Sequence, residues 1–211
     1  MKVFQIGFNR CGTRTLHSFF ERNGVPSVHW AQGTLALRIL RNLLEGSAPV
    51  AGFEEYVFFS DMEASTDRFF VDAYKLFPFF HQHYPNAVFI LNTRPRDAWL
   101  RSRLNHHKGE YAARHMRLLK LESEAALRES WVRDWDMHHS RVRTYFASCG
   151  GRLIDFDIER DGPQKLVEGI PELALDAGKY ELIGQTDRRP PDEPAATEAS
   201  DRDPHGRPGT L

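Results

Sequence analysis

Lys2-Val3-Phe4-Gln5-Ile6-Gly7, followed by Phe8-Asn9-Arg10-Cys11-Gly12-Thr13-Arg14-Thr15-Leu16, is the stretch whose reading decides the fold. An apolar run ends at Gly7, a short loop closes at Gly12, and apolar residues then recur at helical spacing (Leu16, Phe19, Phe20). This is a strand, a tight loop and a helix start. In that layout backbone N–H groups and the helix N-terminus can cradle an anionic group. The glycines let the backbone curl tightly and approach a ligand without a Cβ in the way.

Gly7 and Gly12 stand at the spacing of a nucleotide P-loop, but Thr13-Arg14 follows where a nucleotide kinase carries Lys and then Ser or Thr. The loop therefore predicts a phosphate-like anion and speaks against ordinary ATP chemistry. A Cys-x5-Arg phosphatase loop starting at Cys11 fails, because position 17 is His17.

Bulk properties narrow the field. A chain of 211 residues fits one domain with one core, and 41% hydrophobic with 27% charged residues is ordinary for a globular protein. With 28 Lys and Arg against 29 Asp and Glu, the net charge of -1 gives no whole-molecule attraction to nucleic acid or to a membrane. An anion site must then be a local basic cluster. The two cysteines, Cys11 and Cys149, are too few for a disulfide framework and have no metal-ligand spacing. No apolar run approaches the roughly 20 residues that span a bilayer. Removing a signal peptide would remove the glycine loop itself, so the expected location is the cytoplasm.

Outward from the loop, Asn23-Gly24-Val25-Pro26 stops the first helix, and Ser27 to Trp30 reads as a second strand. Leu35 to Leu44 has helical spacing, and Tyr56 to Ser60 is a β-like run that ends in Asp61. Ser65 or Thr66 is expected to cap a helix carrying Phe69, Phe70, Ala73, Tyr74 and Phe77, which Pro78 bends or interrupts. Ala87 to Leu91 is a buried strand, and Asp97 to Leu104 a helix. A long helix runs from Ser123 to Ala147 with Trp131 and Trp135 inward as core, and His138-His139 sits on one of its faces. Arg152 to Phe156 is a further strand, with a last helix around Lys165 to Glu168. Strands alternating with helices predict an α/β fold: a P-loop NTPase-like central parallel sheet with helices on both faces and ligand chemistry at the strand C-termini. That domain spans residues 1–186. From 187 to 211 the composition turns to Pro, charge and Thr with almost no apolar residues, and disorder is expected there.

A second motif follows at Val88-Phe89-Ile90-Leu91-Asn92-Thr93-Arg94-Pro95-Arg96-Asp97-Ala98-Trp99-Leu100-Arg101-Ser102: a buried strand, Arg94 at its exit, and Ser102 eight residues on. A guanidinium there can hold a phosphate bidentately, as a Lys cannot. The plainer reading of Arg94 is a surface pair with Asp97.

Taken with residues 7–16, this motif resembles the sulfotransferases that use 3′-phosphoadenosine 5′-phosphosulfate (PAPS), and residues 10–16 are close to the loop of the heparan sulfate and tyrosylprotein branches. Arg152 to Glu159 and Pro163 to Ile170 resemble that family's late strand and helix. The resemblance implies PAPS as co-substrate, no metal, and a small-molecule or glycan acceptor. It places Arg10 at the oxygen bridging sulfur and phosphate. It makes Cys11, Gly12, Thr13, Arg14 and Thr15 the phosphosulfate cradle, and Arg94 with Ser102 the 3′-phosphate site. Arg14 either adds charge or faces outward. Cys11, at a helix start, is either a thiol of lowered pKa or a small residue filling space.

The general base stays open between His29, which follows the second strand, and Asp61, with His106 or His107 as further candidates. Where short bacterial-type sulfotransferases have an Asp-x-Pro-like step, this chain reads Asp61-Met62-Glu63. The family's late basic-glycine segment has only Lys179, Gly184, Arg188 and Arg189 as counterparts. Loops near residues 30–33, 62–66 and 106–115 are expected to contact the acceptor. Two alternatives stand beside this reading: a P-loop nucleotide kinase or NTPase, with Asp61 as a Mg²⁺-holding acid, and a catalytically inactive nucleotide-binding module.

Overall fold

The computed structural model describes residues 1–183. The boundary at 186, the tail from 187, and Gly184, Arg188 and Arg189 lie outside the described residues. The strands are β1 (Val3–Gln5), β2 (Ser27–His29), β3 (Phe58–Ser60), β4 (Glu63–Ser65), β5 (Phe70–Asp72), β6 (Val88–Thr93) and β7 (Arg152–Asp157). Five of them form one parallel sheet in the order β2-β3-β1-β6-β7. The helices are α1 (Thr13–Arg22), α2 (Thr34–Leu44), α3 (Phe77–His83), α4 (Arg96–Leu104), α5 (Glu110–Leu119), α6 (Glu124–Cys149) and α7 (Gln164–Gly169).

The period-2 alternation of the strands sorts the core into two layers. Val3, Phe58, Val88, Ile90, Ile154 and Phe156 face Leu16, Phe19 and Phe20 of α1 and Leu166 of α7. Phe4, Phe59, Phe89 and Leu91 face the opposite layer, where Leu35, Phe77, Phe80, Trp99, Trp131 and Trp135 pack. Helices thus cover both faces, as the sequence pattern predicts. Trp131 and Trp135 are core residues, and Trp99 and Trp135 lie 4.4 Å apart between ring centroids. The long helix begins where the side chain of Ser123 accepts the N–H of Ala126 (3.2 Å) and ends at Gly150, whose φ of 69° suits a left-handed cap.

Three expectations need correction. The helix expected after Ser65 or Thr66 is instead an antiparallel hairpin, with Glu63↔Asp72 and Ser65↔Phe70 paired. The Thr66 hydroxyl accepts the N–H groups of Arg68 and Phe69 (3.2 and 3.1 Å), so it closes the hairpin turn and starts no helix. Pro78 does not interrupt a helix but stands in the first turn of α3, where its missing N–H costs nothing. Residues 106–115 are not an extended loop: a 3₁₀ turn (His106–Gly109) leads straight into α5, which buries Tyr111, Ala112 and His115.

Sheet order fixes where chemistry can gather. The chain leaves β1 for the β2–β3 side and later returns to the β6–β7 side, so connections diverge above the C-terminal ends of β1 and β6. A crevice at such a divergence is where open parallel sheets bind ligands.

Candidate active site

The loop after β1 is held from the neighbouring strand. Asn92, near the end of β6, accepts the N–H of Gly7 (2.9 Å) and donates to the carbonyls of Phe8 (3.2 Å) and Cys11 (2.9 Å). Register explains the contact: Gln5 pairs with Ile90, so Gly7 comes level with Asn92. A Cβ on Gly7 would lie 2.1 Å from the Asn92 carbonyl oxygen, so only glycine fits. Gly12 has φ 75°, and a Cβ there would meet Ile158 at 2.9 Å. The indole N–H of Trp99 donates to the Asn9 carbonyl (3.2 Å), and His138 Nε2 lies 2.7 Å from the Ile6 carbonyl. His138 and His139 are therefore buried supports of the loop and of Thr93. Sequence reasoning passed over Asn92 as a site residue; a polar residue closing an otherwise apolar strand was the available signal.

Among the loop residues, Arg10 has φ 64° and its Nε–H donates to the Ser102 hydroxyl (3.1 Å). The Arg94 guanidinium donates to the Arg10 carbonyl (3.2 Å). The two expected anion sites, loop and strand exit, are thus contiguous. Burial and the nearby Arg94 guanidinium both push the Arg10 pKa down, and the Asp61 carboxylate opposes them. Arg94 pairs with Glu159 (Nε to Oε1, 3.0 Å; Nη2 also bonded) rather than with Asp97. The β6–β7 register sets Thr93 beside Asp157, which carries Glu159 to Arg94.

Cys11 is fully buried, and burial drives its thiol pKa up, so the lowered-pKa alternative is withdrawn and its role is to fill space. Thr13 is buried at the helix start, and Arg14 is exposed. The Thr15 hydroxyl is occupied by Ile183, whose N–H it accepts at 3.0 Å. Lys179 is exposed on a short 3₁₀ turn.

His29 and Asp61, alternatives in the sequence, are partners in space. The β2–β3 register sets His29 opposite Ser60, so Asp61 follows directly. His29 Nδ1 lies 3.0 Å from the Ser60 hydroxyl, and its Nε2 lies 3.6 Å from Asp61 Oδ2. Burial lowers the His29 pKa to about 4, helped by His17 stacked at 5.2 Å and by Arg14. Burial raises the Asp61 pKa to about 6, against the pull of the Arg10 and Arg103 guanidinium groups. At neutral pH the pair is then a neutral imidazole beside a carboxylate of raised basicity. Asp61 also adopts a left-handed φ of 52°, a cost of about 1–3 kcal/mol for a non-glycine residue. His106 is held neutral as well, its pKa lowered to about 4 by burial and by Arg10. His107 stacks on it at 4.1 Å.

Cations at a glycine loop beside a basic carboxylate suit the transfer of an anionic group to a protic acceptor. A family model described as a sulfotransferase domain matches residues 2–148, and the chain belongs to that family. The match covers β1 through nearly all of α6 and includes both anion motifs and the His29–Asp61 pair. No curated protein matches the chain. Among the described residues, no helix is long and apolar enough to cross a membrane, and no group of three or more His, Cys, Asp or Glu could hold a metal ion.

Proposed function

We propose that this sulfotransferase-family chain moves a sulfuryl group from PAPS to a hydroxyl or amine of a small-molecule or glycan acceptor, and does so in the cytoplasm. One observation carries the reading: two guanidinium groups, Arg10 and Arg94, converge on a glycine loop while Asp61, a neighbour of Arg10, stands on the adjoining strand exit. The donor fits the residues present. The loop has no Cβ at Gly7 or Gly12, and burial together with the neighbouring Arg94 guanidinium lowers the Arg10 pKa, a cost that a bound polyanion would offset.

In the reaction the acceptor oxygen or nitrogen bonds to sulfur as the sulfur–oxygen bond to the leaving phosphate breaks, and the acceptor's proton must go to a base. Asp61 is that base: it is ionised at neutral pH and more basic than an ordinary carboxylate. His29, neutral and backed by Ser60, orients the carboxylate through Nε2. Arg10 stabilises charge on the leaving oxygen, and because guanidinium does not release its proton it acts by charge alone. Gly12, Thr13 and the start of α1 supply N–H donors, and Arg94 with Ser102 holds the 3′-phosphate once Glu159 yields.

Conversion of PAPS to 3′-phosphoadenosine 5′-phosphate (PAP) in the presence of hydroxyl and amine acceptors tests this reading. Acceptor-stimulated PAP release supports it; Mg²⁺-dependent ATP turnover without PAPS turnover replaces it with the kinase alternative.

A further inference from the structure

Beneath the loop lies a charged cluster that the chemistry above does not use. Arg103, 1% exposed, follows Ser102 on α4, and Glu63, 6% exposed, opens β4 two residues after Asp61. Arg103 Nη2–H donates to the Tyr111 hydroxyl (2.8 Å), which donates to Glu63 Oε1 (2.7 Å). The same carboxyl oxygen accepts the side-chain N–H of Asn9 (3.2 Å), the residue before Arg10. The Glu63 N–H in turn donates to the Asp61 carbonyl (2.8 Å). Around the guanidinium stand the rings of Trp131, Trp99, Tyr111 and Phe8, with centroids at 4.6, 5.1, 5.2 and 5.5 Å.

Such a cluster is poorly explained by stability. Burying the Arg103 guanidinium beside the Glu63 carboxyl costs several kcal/mol for each group that is ionised, and well-packed apolar residues of similar volume often do as well or better. Within the cluster, among the described residues, Arg103 Nε and Nη1 and Glu63 Oε2 lack hydrogen-bond partners, which adds to the cost. What a buried polar network does supply is one fixed arrangement. Here it joins two turns that both need fixing: the turn bearing Arg10 (φ 64°) and the turn bearing Asp61 (φ 52°), each left-handed without being glycine.

We propose that Glu63 is a positioning residue: its carboxyl, held by Tyr111 and Arg103, clamps the Asn9–Arg10 turn to the Asp61 turn, so that cation and base keep one relative placement. Glu63 and Arg103 touch no reacting atom in this account. The clamp is a property of the fold; only its consequence for rate rests on the sulfotransfer reading.

Backbone amide hydrogen exchange of the full chain tests the clamp directly. Glu63→Ala and the milder Tyr111→Phe should speed exchange about tenfold or more at both 10–12 and 62–64, while Glu63→Gln, which keeps an oxygen for Asn9 and Tyr111, should stay within about threefold of wild type. Acceleration confined to 62–64, or Glu63→Gln as fast as Glu63→Ala, overturns the proposal. Should Glu63→Ala not fold, Tyr111→Phe against Glu63→Gln decides it on the same criterion. In PAPS turnover with water as acceptor, kcat should fall about tenfold in Tyr111→Phe with KM little changed and be retained in Glu63→Gln. A wild type that turns over no PAPS removes the donor reading and leaves the exchange result to judge the clamp.

Discussion

His29 Nε2 stands 3.6 Å from Asp61 Oδ2, and the backbones that carry them are locked in register by the β2–β3 pairing. The two groups titrate in opposite directions from their usual values, Asp61 up to about 6 and His29 down to about 4. Burial drives both shifts, which separates the proposed base from the group proposed to orient it.

Replacing that base should remove transfer and leave nucleotide binding. Asp61→Asn is expected to lower kcat by about 10²–10⁴, the usual contribution of a general base, with PAP affinity within a few-fold of wild type. His29→Gln should cost less. The wild-type rate should rise with pH through about 6 and level off above it, because the base must be deprotonated. A profile that instead rises through pH 4 would return the role to His29.

Glu159 pairs with Arg94, the cation proposed to hold the 3′-phosphate. Glu159→Gln should tighten PAP binding, and Arg94→Ala should weaken it by about 1.5–3 kcal/mol, the range for a hydrogen bond to a charged group. Titration calorimetry of the two variants checks both signs, and an Arg94→Ala protein with unchanged affinity would remove Arg94 from the site.

Asn92 holds three backbone groups of the loop, and Asn92→Leu would strand each of them in the interior at about 1–3 kcal/mol apiece, less than additively. A thermal melt should show a drop of several degrees or more. A variant as stable as wild type would mean the loop finds other partners.

Stability should fall away on both sides of neutrality. Burial lowers the pKa of His29 and His138 to about 4 and of His115 to about 3, so their contribution is present above about 6.5 and is lost as pH falls toward those values. Burial raises Glu63 to about 8, so its contribution is present below about 4.5 and is lost as pH rises through 8. Melting temperature against pH should therefore drop as pH falls below about 6.5, drop as pH rises from about 7 to 8, and level off above 8, and Glu63→Gln should flatten the alkaline limb alone.

Much of this was readable in the chain. The β1 loop, the α1 boundaries, β6 with its Arg94 exit, and the long α6 all follow from apolar periodicity and glycine or serine punctuation, which are local signals. The hairpin at residues 63–72 was hidden because Phe69, Phe70, Ala73 and Phe77 also satisfy helical spacing, and Thr66 closes a turn with the same hydroxyl that would cap a helix. The His29–Asp61 pairing, the Arg94–Glu159 pairing and the Asn92 staple depend on strand register between segments far apart in sequence. Sequence spacing carries no such information, so His29 and Asp61 read as rivals when they are neighbours.

Calorimetric titration with PAP, set against ADP under the same conditions, decides whether the two anion sites hold a 3′-phosphorylated nucleotide. Saturable PAP binding at least tenfold tighter than ADP binding is expected, because the proposed Arg94–Ser102 site meets a 3′-phosphate that ADP lacks. Absence of PAP binding, or equal affinity for the two nucleotides, would contradict it.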